Sequence, residues 1–66
     1  MKISDDELMD VLREFRQAYP DFRFGQMICS IAEWARGPVV SAVYDVEDDE
    51  FVKTAREHLR KKKERA

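Results

Sequence analysis

Apolar side chains recur every three or four positions in three stretches of this chain, and two of those stretches run into residues that end helices, Pro20 and the pair Gly37-Pro38. Spacing of that kind lays the apolar groups along one stripe of an α-helix. In the first stretch, Ser4 followed by Glu7 has the form of a capping box, with Ile3 and Leu8 placed as a hydrophobic staple. Asp5 and Asp6 set negative charge at the positive end of the helix dipole. Leu8, Val11, Leu12, Phe15, Ala18 and Tyr19 fall within about 120° of arc, and Asp10, Arg13, Glu14 and Gln17 lie outside it. Proline disfavours helical geometry at the residue before it, so the spacing predicts a helix over residues 5–19.

The second stretch follows the turn Pro20-Asp21, with a start at Phe22 capped by Asp21 or a slip toward Phe24. Phe24, Met27, Ile28, Ile31, Ala32, Trp34 and Ala35 cover an arc of about 160°, opposite Gln26, Cys29, Ser30, Glu33 and Arg36. Glycine suits the left-handed position after a helix end, which predicts a helix over about 23–36. The third stretch begins after Asp45, read as its cap, and places Phe51, Val52, Ala55 and Leu59 on one face with His58 at the border. Lys62 would fall on the same face, so the apolar stripe ends at Leu59 and the last turn or two should stand in water or fray. Asp49 with Lys53 and Glu57 with Lys61 are acid-then-base pairs four apart, each worth about 0.2–0.5 kcal/mol when formed.

Residues 39–44 are the ambiguous piece. Their β-branched content suits a strand, but a strand needs a neighbour and none is offered. They are read as an extended connector across the helices, the alternative being a strand paired with its counterpart in a second subunit. The expected architecture is therefore all-α: one small three-helix domain over residues 1–66, a helical hairpin plus a third helix, with the extended connector at about 39–44 and a basic tail at about 60–66. Leu8, Leu12, Phe15, Tyr19, Phe24, Ile28, Ile31, Ala35, Phe51, Ala55 and Leu59 are its expected core.

Composition narrows the function classes. A single cysteine excludes a disulfide scaffold, and one Cys with one His cannot complete a four-ligand zinc site. The longest apolar run, from Val39 to Val43, is broken by Ser41, so no membrane-spanning segment is expected. Met-Lys-Ile is followed at once by Ser-Asp-Asp-Glu, which predicts no signal peptide and a cytoplasmic location. Cys29 as a nucleophile would need a base, for which only His58 is available, and pairing them would still leave no glycine-rich oxyanion loop. Both are better read as packing residues at the edges of their helices. No catalytic, cofactor-binding or metal-binding residue is assigned. The acidic run from Asp45 lacks the glycine and glutamate that a calcium loop needs, having Glu50 and Arg56 at those places.

Charge is sorted along the chain although the net value is only −2. Residues 45–50 carry five acids and no base, while Lys53, Arg56, Arg60, Lys61, Lys62, Lys63 and Arg65 face only Glu57 and Glu64. Arg60, Lys61, Lys62, Lys63 and Arg65 are the candidate nucleic-acid contacts, since clustered bases neutralise phosphates. Against that reading, no aromatic residue is interleaved with them for base stacking, and the isoelectric point near 5.3 is acidic. Trp34, Val39, Val40 and Val43 are the candidate partner surface, an apolar patch if exposed together. The expectation is a non-catalytic protein-protein interaction module, acting on a protein partner or on a second copy as a homodimer. A nucleic-acid accessory role through the tail is the alternative.

Two ordered motifs carry a resemblance. Tyr19-Pro20-Asp21-Phe22-Arg23-Phe24-Gly25-Gln26-Met27-Ile28, followed by Tyr44-Asp45-Val46-Glu47-Asp48-Asp49-Glu50-Phe51, resembles a group of short uncharacterised bacterial and phage-type proteins with a "YPDxRFGQ(L/I)I … (I/L)EDxEF" pattern. The likeness spans about residues 8–55, leaves the basic tail outside it, and has Met27 where leucine or isoleucine is commoner. It implies a small helical protein and brings no catalytic residue with it. In the two motifs themselves, a contact from Arg23 to one of the acids at 45–50 is expected to lock the hairpin to the third helix.

Overall fold

The computed structural model describes residues 2–65, the side chain of Arg65 excepted. It contains α1 (Asp5–Ala18), α2 (Phe24–Arg36), α3 (Ala42–Asp45) and α4 (Asp48–Arg65). No strand occurs among the described residues. The three long helices are those the spacing predicts, and the chain is a small all-α domain.

At the start of α1 the Glu7 N–H donates to Ser4 Oγ at 3.1 Å, a cap worth about 1 kcal/mol. The reciprocal half of the capping box does not form, because the Glu7 carboxylate turns to Arg56 instead. Tyr19 leaves helical geometry at φ −128°, as the following proline requires, and its N–H still donates to Phe15 O. The start of α2 slips to Phe24. Gln26 Oε1 there accepts from the Arg23 N–H at 3.1 Å, satisfying a donor that the helix leaves unpaired. Gly37 ends α2 at φ +94°, in the left-handed region.

Residues 39–44 are not extended. The Ala42 N–H donates to Val39 O at 3.1 Å, and Ala42–Asp45 form one helical turn. β-branched residues favour strands only where a pleated neighbour covers them. Without one, the backbone satisfies its own groups locally, and Ala42 turns its methyl into the core at 1% exposure. A helical turn also presents no strand edge to a second subunit.

The direction of the helices follows from their contacts. Glu7 meets Arg56 and Ala18 O meets Lys62, so α1 and α4 run parallel. Arg36 meets Glu50 and Trp34 meets His58, so α2 runs antiparallel to both. Both α1 and α2 pack on α4, and α3 packs on α2 at the end where α4 begins. The last long helix is thus the one that holds the other two. Its last turns stand in water, as expected: residues 60–64 are exposed, and α4 stays helical to Arg65.

Phe15, Ile31, Phe51, Ala55 and Leu59 are buried as expected, together with Val11, Met27, Ala32 and Val52. Phe15 has no exposed surface, and its ring lies 4.7 Å from Tyr19 and 6.2 Å from both Phe22 and Trp34. Leu8, Leu12, Tyr19, Ile28 and Ala35 are half-buried, whereas Phe24 is 53% exposed, contrary to expectation. The reason is which edge of each stripe is covered. Val11, Phe15, Met27 and Ile31 share one buried cluster with Phe51, Val52, Ala55 and Leu59 of α4, and Phe24, at the outer turn of α2, lies outside it.

Candidate functional site

The uncovered middle of the α1 and α2 stripes forms an open apolar groove. Leu8 and Leu12 of α1, Ile28 of α2, Val43 of α3 and Phe51 of α4 line it, with Val46 and Asp48 at one end and a volume of about 200 Å³. Phe24 precedes Ile28 by one turn on the same stripe, and Met9 follows Leu8 on the solvent side of α1. Met9, Phe24 and Val43 are 50%, 53% and 42% exposed. Apolar surface gathered in this way, rather than scattered singly, is what marks an interaction site.

The four residues of the expected partner surface are all exposed, with Val43 and Trp34 on different depressions. Val43 lines the groove. Trp34 lies on the other flank of α2, beside Glu50, Lys53 and Glu57 of α4. Val39 and Val40 stand on the turn before α3, Val40 wholly in solvent.

Trp34 meets the one histidine. The His58 ring stacks on the indole at 3.9 Å between centroids and 9° between planes. His58 Nδ1 lies 3.1 Å from Thr54 O, and because a carbonyl can only accept, Nδ1 carries a proton. Stack and hydrogen bond together fix the ring as a half-buried packing element. Cys29 is exposed on the outer side of α2, away from it.

Charge is sorted in space as well as in sequence. One pole holds the starts of α1 and α4 with α3, hence Asp5, Asp6, Asp45, Glu47, Asp48 and Asp49. The opposite pole holds the end of α1, the start of α2 and the end of α4, hence Arg16, Arg23 and the bases from Arg60 onward. Those bases divide around α4. Arg60 and Lys63 face α1 beside Glu14, while Lys61 and Lys62 flank a depression with Tyr19 and His58. Lys62 donates to Ala18 O and its ammonium lies 4.2 Å from the Tyr19 ring centroid. The Arg65 side chain and Ala66 lie outside the described residues.

Arg23 does not reach the acids at 45–50; Arg36 does. Arg36 donates to Glu50 Oε1 through Nη2 at 2.8 Å and Nε at 3.2 Å, and the Glu47 N–H donates to the same oxygen at 3.1 Å. These donors, Arg36 first and then the Glu47 amide, hold the Glu50 carboxyl below the usual carboxylate range. The same contact raises Arg36. Arg23 sits at the far pole because α2 runs antiparallel to α4. Sequence spacing shows the two charges but not which end of α2 comes home. The expected pairs Asp49 with Lys53 and Glu57 with Lys61 are not among the ion pairs formed.

Among the described residues, no group of three or more His, Cys, Asp and Glu side chains is placed to hold a metal ion, and no helix is long and apolar enough to cross a membrane. No known family model, curated protein or solved structure matches this chain.

Proposed function

We propose that the protein is a non-catalytic interaction module that binds another protein through the groove between α1 and α2. The observation that carries this reading is the groove itself: Leu8, Leu12, Ile28 and Val43 converge on it, and Phe24, one turn before Ile28 on the same stripe, is exposed. Fully burying a leucine or phenylalanine side chain contributes about 1.5–3 kcal/mol, so exposed anchors of this kind supply the driving force for docking. Catalysis has less support, because Cys29 and His58 lie on different faces and His58 is already stacked and hydrogen-bonded. Affinity capture from the native host, run in parallel with wild-type protein and Phe24→Asp, tests the reading. Partners retained by the wild type and lost with the variant support it, and a partner set unchanged by the variant overturns it.

A second reading has one observation in its favour. The basic pole brings Lys61 and Lys62 beside Tyr19 and His58, which supplies the ring faces that the tail's own sequence lacks. Its weakness is that Lys62 is already engaged with Ala18 and Tyr19. Salt-dependent retention on single-stranded DNA or RNA, abolished when the chain is cut after Leu59, is the result this alternative requires.

A further inference from the structure

We infer that the occupant of the groove is a second copy of this chain, docked antiparallel across a two-fold axis. The inference rests on the docking reading above and adds the identity of the partner. Three observations bear on it, and the charge pattern carries most weight. The groove itself carries one acid and no base, and exposed arginines follow it along α1 and α2 toward the opposite pole. Asp48 lines it at one extremity, with Asp45 next to it at the end of α3. Arg16 lies one turn beyond Leu12 on the same side of α1, and Arg23 caps the α2 turn that presents Phe24. Both arginines are exposed, and neither enters an ion pair among the described residues.

A two-fold axis through the middle of the groove inverts its direction in the partner. Arg16 and Arg23 of each copy then face Asp45 and Asp48 of the other, and every such contact occurs twice. A surface that is apolar at the centre and oppositely charged at its two ends is complementary to itself under that operation and to no parallel arrangement of itself. The same sorting supplies negative design, since a parallel pairing sets like charges together.

The second observation is the packing of the helices. α1 and α2 each pack against α4, and the groove that Leu8, Leu12 and Ile28 line beside Phe51 keeps these side chains only half-buried and Val43 exposed. The third is size. A standard interface takes about 800 Å² from each partner, about one-sixth of the 5090 Å² this chain exposes, so one face of the bundle provides it.

Sedimentation equilibrium of the full chain, from micromolar to millimolar concentration at low and high salt, tests the inference. The expected result is a reversible shift from 7.8 kDa toward twice that mass, with a dissociation constant that rises with salt. Phe24→Asp changes an exposed position at a helix start, where an acid is tolerated, and is expected to weaken the dimer by about tenfold or more. Val40→Asp lies on the turn outside the groove and is expected to leave the constant unchanged. The orientation is tested by charge reversal. Arg16→Glu and Asp48→Lys each weaken association, and the double variant, which restores opposite charges at both ends, recovers most of the loss.

A strictly monomeric chain at millimolar concentration and low salt overturns self-pairing. So does a dimer indifferent to Phe24→Asp, or one in which the two reversals add without recovery. None of these results touches the docking reading, which stands or falls on whether Phe24→Asp abolishes capture of a host protein. A monomer that captures a host partner through Phe24 therefore separates the failure of this inference from the failure of that reading.

Discussion

Phe15 is the largest of the fully buried side chains, and it meets the rings of Tyr19, Phe22 and Trp34. Phe15→Ala is expected to cost about 3–5 kcal/mol. At about 0.05–0.15 kcal/mol per residue, that approaches the whole stability of a chain this short. Urea titration followed by circular dichroism checks it, with Phe15→Leu falling much less. Glu50 makes a prediction of a different kind. Its carboxyl is held below its ordinary range in the folded state, so the stability it contributes is present above the unfolded value and is lost as pH falls through the folded one. Thermal melts of wild type and Glu50→Gln should therefore differ near neutral pH and converge on acidification. Both groups of the pair are exposed to solvent, so the difference should be small and should shrink with added salt.

At the scale of elements, the two glycines give opposite predictions. Gly25 lies inside α2 with nothing within 4 Å of where a Cβ would stand, so Gly25→Ala should stabilise by up to about 0.5–1 kcal/mol through helix propensity alone. Gly37 has equal space, but its φ of +94° strains any other residue, and Gly37→Ala should destabilise by about 1 kcal/mol or more. Thermal unfolding of the two variants decides both signs. The helices themselves were legible in the sequence because periodicity, caps and stops are local signals: Ser4, Pro20 and Gly37 act within a few residues of where they stand. What failed to show was whatever depends on a neighbour. The stripe of α2 reads equally well with Phe24 inside or outside, and only the position of α4 and α3 settles which edge is covered. Val39, Val40 and Val43 suggest extended backbone by type, yet a turn of helix forms in the absence of a partner strand. Arg23 and Arg36 look interchangeable as donors to the acidic run until the direction of α2 separates them.

For the molecule as a whole, α4 is the common support. Neither α1 nor α2, at 14 and 13 residues, is long enough to be more than marginally helical alone. Ala55 of α4 has no exposed surface. An unpaired carboxylate at that position costs several kcal/mol, so Ala55→Asp should abolish the helical signal of the entire chain rather than of α4 only. A spectrum retaining more than half of the wild-type helicity in that variant would show that the hairpin of α1 and α2 stands without its support. The groove and the sorted poles belong to this scale too. The charge runs were visible as sequence, but their separation to opposite ends of one face required the up-down-up course of the three long helices.

The flat stacking of the only tryptophan on the only histidine has a practical outcome. Indole emission depends on what touches the ring, and here the contact joins α2 to α4. Fluorescence therefore reports the arrival of one helix upon another, whereas dichroism averages over every coiled residue. Following both through a refolding reaction distinguishes a bundle that assembles in one concerted event from one in which the rods form before they meet.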